Sequence, residues 1–327
     1  MRTTPVVKVI AAWLLCVLVV VAAFLATVSF LNGRLYGPEH QVGLYLDALR
    51  EGDGGKALGL LHASVPEGSD PTLLDGDALR RASAPLEDAT VGEARRTAPD
   101  RVEVPVTYTL DGAETTTVFP LQRTGTEWGL FDVWEFERTA LPTIEVSAAN
   151  SVQAVVNGVD VGLPGGVTAL ASFYPAAVTA QYQGKYFAAP EQHAAVTGRE
   201  TPPPLALATE ATPELTRAVD EQLHTFLDGC AEQTVFQPRN CPFTYPTDER
   251  LAGDISWSIE EYPSASIPPG DGGWLLGPLR GTARIDTRLQ DFFSGAVRNV
   301  SEPVPFEFDA ELTVTGDAIT VTPVVRY

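Results

Sequence analysis

Cys230 and Cys241 are the two cysteines of the chain outside its apolar N-terminal run, which holds Cys16. Such a pair suits either a disulfide or half of a metal site. A structural zinc needs four sulfur or nitrogen ligands, and here Cys-x-x-Cys spacing is missing and His40, His62, His193 and His224 are scattered. A disulfide is therefore expected, and closing so short a loop stabilises a fold by about 2–3 kcal/mol. Zinc-protease helices require His-Glu-x-x-His to bring two imidazoles to one metal, and no histidine is followed by glutamate. Serine acyl-transfer enzymes of the Ser-x-x-Lys type are excluded as well. The lysines are Lys8, Lys56 and Lys185, with Pro5, Asp53 and Tyr182 three residues before them. Neither a Gly-x-Ser-x-Gly elbow nor a Walker loop occurs. The acidic pairs Glu135/Glu137 and Glu260/Glu261 are of a type that serves glycoside hydrolysis, but among 42 acids such neighbours arise by chance. Glu51-Gly52-Asp53-Gly54-Gly55 lacks the ligand spacing of a calcium loop and reads as a helix-ending turn. No catalytic residue, cofactor or metal site is assigned, and the chain is expected not to be an enzyme.

The balance of charge narrows the partners. The 327 residues include 22 Lys+Arg and 42 Asp+Glu, a formal charge of -20. Phosphate contacts need cations that such a surface mostly lacks, so nucleic acid is not an expected partner. The same balance argues against a peripheral protein held on anionic lipid by a basic patch. From Val9 to Leu31 no residue is charged, and 23 residues at about 1.5 Å each exceed a hydrocarbon core of about 30 Å. Arg2 and Lys8 precede the run, which by the positive-inside rule places the N-terminus in the cytoplasm. The run is too long for a signal peptide and ends without a small-x-small site. The expectation is thus a cytoplasmic stub (1–8), a single-pass transmembrane helix contacting the lipid bilayer through residues 9–31, and an extracytoplasmic remainder at the cell membrane.

Three further segments follow. In residues 37–138, Pro38 opens a helix whose Val42, Tyr45, Leu46 and Leu49 share one face, since they recur at helical spacing. Lys56–His62 and Asp77–Ala84 read as short helices. The period then drops to two: Val102, Val104, Val106, Tyr108 and Leu110 alternate with polar residues, with Pro105 expected at an edge or bulge. Asp111-Gly112 marks a hairpin, and strands follow over Thr115–Gln122 and Trp128–Phe136. Tyr45-Leu46-Asp47-Ala48-Leu49 with Trp128-Gly129-Leu130-Phe131-Asp132-Val133 resembles the nuclear-transport-factor-two-like cone fold. That resemblance implies an α+β cone. In its enzymatic members Asp and Tyr line the cone, a role in which Tyr45, Asp47 and Tyr108 would be cast, although the positions of Tyr45 and Tyr108 suit core aromatics better. Residues 142–198 read as all strand, with Asn157-Gly158 as the strongest hairpin signal. Val155–Gly162 followed by Tyr174-Pro175-Ala176-Ala177 resembles PEGA-type β-sandwich repeats, with Ala176 where the family usually has glycine.

Residues 199–211, with three consecutive prolines, read as a linker. Residues 212–327 open on the capping pair Thr212-Pro213. Leu215, Val219, Leu223, Phe226, Leu227 and Cys230 then form one stripe, and strands are expected over Ile255–Tyr262, Gly281–Leu289, Val304–Val314 and Ala318–Val325. Trp274, Leu275 and Leu276, after the Pro268–Gly273 loop, are the candidate contact surface. The fold class is thus one membrane helix, a cone-like α+β domain, a small β-sandwich and a C-terminal helix-plus-antiparallel-sheet domain. This order resembles the TcaA family of single-pass envelope proteins, without its zinc ribbon. The expected function is a non-enzymatic cell-envelope protein binding a cell-wall component or other envelope ectodomains. The alternatives are an enzyme using the cone as its pocket, or a structural spacer or assembly factor in an envelope complex.

Overall fold

The computed structural model describes residues 5–34, 36–110, 112–268, 274–316 and 318–325, and in the first helix the side chains of 10 and 12–28. The chain divides into two compact units. Unit 1 is Met1–Ser147, Gln153–Ala180 and Glu191–Ala206, and unit 2 is Ala148–Val152, Gln181–Pro190 and Leu207–Tyr327.

Helix α1 (Pro5–Arg34) holds the apolar run. The expected single-pass span over 9–31 is corrected here: among the described residues, no helix is long and apolar enough to cross a membrane. The single-pass topology, the membrane localisation and the cytoplasmic placing of residues 1–8 lose their basis with it. A mixed, multi-domain α+β architecture remains.

In unit 1, α2 (Pro38–Glu51) buries Val42, Tyr45, Leu46 and Leu49, the face set by its sequence period. It stops at Gly52, whose φ of +73° is left-handed and whose missing Cβ would stand 2.5 Å from the carbonyl oxygen of Gly76. Glycine meets both demands at once. Asp53 then caps α3 (Gly54–Leu61) by accepting from the Lys56 amide. The two-residue strand β1 (Ala63–Ser64) and α4 (Gly76–Ser83) lead into a meander. Its strands are β2 (Glu87–Val91), β3 (Arg95–Ala98), β4 (Arg101–Leu110), β5 (Ala113–Glu127) and β6 (Phe131–Phe136). The short β7 (Thr139–Ala140) pairs in parallel with β1. Burial along β4 alternates as its sequence does. The strand lies inside the sheet, with β2 and β3 on one side and β5 on the other. Pro105 is tolerated there because its carbonyl accepts from Gly92, between the ends of β2 and β3. The N and C=O of a strand residue face the same neighbour, so the missing N–H falls where the ladder is already interrupted. Asp111 of the expected hairpin lies outside the described residues, and Gly112 has φ +75°.

The chain continues as β8 (Thr143–Ala148), β9 (Gln153–Val156), β10 (Val159–Gly162), β11 (Val167–Ala171), β12 (Ala176–Gln183), β13 (Phe187–Val196) and β14 (Leu205–Leu207). Strands β11, β8 and β14 make one small sheet, and β9 and β10 form a hairpin with Val156 opposite Val159. Within unit 1 this part is stitched to the helices. Asp70 pairs with Leu170, and Arg81 of α4 donates to the Asn157 carbonyl at 3.4 Å. Asn157 and Gly158 both have positive φ, 45° and 71°, as a tight primed turn demands. The buried Asn157 amide accepts from the Thr179 amide at 2.8 Å and donates to the carbonyls of Ala78 and Ala177 at 3.4 Å.

Unit 2 contains β15 (Glu210–Ala211), α5 (Pro213–Ala231), β16 (Arg250–Leu251), β17 (Ser256–Glu261), β18 (Trp274–Gln290), β19 (Val297–Thr315) and β20 (Ala318–Val324). The sheet order is β16-β18-β19-β20, with β17 also on β18. Helix α5 lays Leu215, Val219, Leu223, Leu227 and Cys230 on a core that includes Ile285, Leu289, Phe306, Phe308 and Leu312.

Asn157 carries a prediction. Asn157→Ala strands the Thr179 amide and forfeits a side chain that tolerates left-handed backbone, so unfolding in urea should show a loss of about 1–3 kcal/mol. An unchanged midpoint would show that the turn does not hold α4 to the hairpin.

Candidate functional site

The core of unit 1 is where the enzymatic alternative would place its pocket. Its interior is occupied by rings. Tyr45, Phe119, Phe173 and Tyr174 are almost fully buried and Phe136 nearly so. The Tyr45 ring meets Phe119 and Phe136 at 5.6 Å each and Phe173 at 6.2 Å, while Phe119 stacks on Tyr174 at 5.6 Å. The Tyr45 hydroxyl donates to the Tyr174 carbonyl at 2.7 Å. Burial, then the neighbouring Tyr174 phenol, push its pKa well above the usual value, against the pull of that hydrogen bond. The Tyr108 hydroxyl lies 2.9 Å from Thr117 Oγ1, which itself donates to the Thr197 carbonyl at 2.6 Å, so Tyr108 is the donor. Asp47 does not join them: it is exposed and paired with Arg50 at 3.1 Å. The structure thus brings Tyr45 and Tyr108 into the core as satisfied aromatics.

The acidic pairs are dispersed among separate partners. Glu135 faces His62 at 4.0 Å and Glu137 faces Arg101 at 3.5 Å, while Glu260 pairs with Arg284 at 2.5 Å. Among the described residues, no group of three or more His, Cys, Asp or Glu could hold a metal ion.

In unit 2 the Thr212 hydroxyl caps α5, accepting from Leu215 at 3.3 Å and donating to the Lys185 carbonyl at 2.6 Å. Cys230 and Cys241 are joined, with Cα atoms 5.7 Å apart. This ties the helix end to a segment whose Val235 carbonyl takes the Trp257 indole hydrogen bond at 2.8 Å. His224 and Asp228, off the apolar stripe, fasten the segment after β17: the His224 ring lies 4.0 Å from that of Tyr262, whose hydroxyl donates to Asp228. A shallow groove of about 610 Å³ runs beside Pro213, Thr216, Asp220 and His224. Its Arg217 is held by Glu214 and Glu221 at 2.6 and 2.5 Å, so the groove presents no unpaired cation.

Trp274, Leu275 and Leu276 do not form a contact surface together. Trp274 is 7% exposed and stacks on Phe187 at 5.1 Å, and Leu276 is fully buried. Leu275 alone of the three is exposed. The cause is strand alternation: residues 274 and 276 face the core and 275 faces away. Residues 269–273 of the preceding loop lie outside the described residues.

The feature that sequence reasoning missed is the tip of the β18–β19 hairpin. Phe293 is 100% exposed and Phe292 69%. Val297 (paired with Gln290) and Leu251 (paired with Leu289) are exposed beside them. The tip is a built turn. Asp291 Oδ1 accepts from the Phe293 amide at 3.0 Å, the Ser294 amide at 2.7 Å and the Ser294 hydroxyl at 2.8 Å. The Asp291 amide donates to Ala296 and the Gly295 amide to Asp291, both at 3.0 Å. The Ser294 donors, and then the Phe293 amide, hold the Asp291 carboxyl below its ordinary value. A legible signal existed in Asp291-Phe292-Phe293-Ser294-Gly295: two adjacent aromatics occupy turn positions where polar residues are the norm.

Two outcomes test this geometry. The folded state binds the Tyr45 proton more tightly than the unfolded chain, so this contribution is complete below the unfolded value of about 10 and is lost as pH rises towards the folded one. Urea midpoints should therefore fall above about pH 10. Tyr45→Phe should flatten that fall, and it should cost about 1–2 kcal/mol at neutral pH by leaving the Tyr174 carbonyl without its donor. At the tip, Asp291→Ala should speed hydrogen exchange at the Phe293 and Ser294 amides, read by NMR. Unchanged exchange there would show that the carboxylate does not organise the turn.

No protein-family model matches the chain, and no curated protein matches it. The TcaA-like architecture therefore gains no support, and no function is carried over from it. A solved structure described as an Ntf2-like protein involved in plasmid conjugation is similar at 11% identity, covering 82% of this chain and 92% of its own, with a TM-score of 0.14. A likeness that weak carries no argument about fold or function.

Proposed function

We propose that the protein is a non-enzymatic binding protein whose contact surface is the β18–β19 hairpin tip of unit 2. The observation that supports this reading is the pair of rings, Phe292 and Phe293, held in solvent by a turn whose hydrogen bonds do not involve them. Large apolar side chains gathered at one exposed place mark interaction sites more often than chance exposure does. A turn that is already ordered gives up little entropy on contact. The cone works against the enzymatic alternative, because Tyr45, Phe119, Phe136 and Phe173 fill the space in which a substrate would sit.

The test is a photoreactive phenylalanine analogue at position 293, with the same analogue at the exposed position 114 as control, irradiated in the cells that make the protein. A covalent adduct at 293 and none at 114 is expected. Equal labelling at both positions, or none at 293, would remove the tip as the contact surface.

A further inference from the structure

We infer that the Phe292–Phe293 tip inserts into the interface of a zwitterionic phospholipid surface, with Arg250 and Arg288 meeting headgroup phosphates. This rests on the reading of the tip as the contact surface and adds what it contacts. The two rings, 69% and 100% exposed, offer roughly 300 Å² between them. A stable interface between folded proteins takes about 800 Å² from each partner, so neither a second copy nor a folded partner would be held by this tip alone. A bilayer accepts a projecting ring without supplying a matched pocket, and the interfacial zone favours aromatic side chains.

The polar collar fits the same surface. Arg250 stands opposite Gln290, and Arg288 opposite Asn299, a few residues behind the rings. Among the described residues neither arginine forms an ion pair, whereas Arg298 beside them is held by Glu249 at 3.0 Å. A guanidinium matches the geometry of a phosphate and pairs with it bidentately. Asp291, the carboxylate of the turn, is occupied by three donors of its own loop, which lowers the cost of bringing it near apolar material. The chain's charge of -20 opposes an anionic membrane, so the fitting surface has phosphates without net charge. Such a contact is peripheral and needs no element that crosses the bilayer.

The experiment uses the full chain with Cys16→Ser and Ala296→Cys, the added thiol carrying an environment-sensitive fluorophore, titrated with phosphatidylcholine vesicles. A blue shift is expected, together with quenching by lipids spin-labelled just below the headgroup. Replacing both rings, Phe292→Ser and Phe293→Ser, should raise the vesicle concentration at half-maximal shift by roughly tenfold or more. Arg250→Gln with Arg288→Gln removes only local guanidinium–phosphate pairing and should raise it roughly threefold. Near-ultraviolet dichroism of each variant checks that the buried aromatic clusters are intact. A label that ignores vesicles overturns the inference, even if the protein binds them elsewhere; so does a shift driven by protein concentration without lipid. If position 293 yields a protein adduct in cells while the label ignores vesicles, the lipid assignment falls and the contact-surface reading stands.

Discussion

Unit 2 depends on the register of one long ribbon. Strands β18 and β19 pair from Trp274 opposite Leu312 to Gln290 opposite Val297, with one shift between Leu276 and Leu279. A slip of one residue would turn every core side chain to solvent, so the shift decides which face is which. Beyond it, Leu279, Ala283, Ile285 and Leu289 face the core on odd numbers; before it, Trp274 and Leu276 do so on even numbers. On β19 the buried residues Val300, Phe306, Phe308, Ala310 and Leu312 keep one parity throughout. The extra residue at Gly277-Pro278 therefore lets two segments of opposite parity share one core, the geometric effect of a β-bulge. Without it Leu275 would point inward, and Trp274 could not reach Phe187.

The sheet edge that this ribbon carries outward is closed by α5. The Gln222 amide donates to the Ile319 carbonyl at 3.2 Å and accepts from the Val321 amide at 2.9 Å. One side chain thus occupies an outward-facing donor and acceptor of β20. The next outward position is Pro323, which has no N–H to offer. Exposed strand edges are templates for unwanted pairing, and this one is capped by a helix that the Thr212 hydroxyl and the Cys230–Cys241 disulfide hold at its two ends. The helix that covers the core also ends the sheet.

Where one physical rule acted alone, sequence and structure agree. The helical period of Val42, Tyr45, Leu46 and Leu49 became a buried face, the alternation of Val102–Leu110 became a strand, and Asn157-Gly158 became a hairpin turn. Two rules in competition defeated the reading. Pro105 argued for an edge or a bulge; the strand is internal, and the irregularity lies in its neighbour, which is broken into β2 and β3 opposite the proline. Trp274, Leu275 and Leu276 read as one apolar patch, whereas alternation across the ribbon divides them. Docking of the Asn157 side chain under α4 and the Gln222 clamp on β20 join residues about 80 and 100 positions apart, distances at which local pattern carries no signal. The apolar N-terminal run shows the same limit, since composition and length over 9–31 implied a span that the described part of α1 does not provide.

Tyr45 and Phe293 mark the two ways this chain uses an aromatic ring. The ring and hydroxyl of Tyr45 both belong to the fold, one packed among three aromatic neighbours and the other committed to a main-chain carbonyl, so any role beyond stability there would have to displace structure. At the hairpin tip the division of labour is reversed. Asp291, Ser294 and Gly295 make the turn, and Phe293 contributes its amide and nothing from its ring. Full exposure gains nothing from the hydrophobic effect, which rewards only area removed from water. Folding therefore does not account for a phenylalanine at position 293, and neither does the turn, which uses only the main-chain amide there. What remains is the surface that the ring presents, which can be altered without disturbing the register on which the rest of the unit depends.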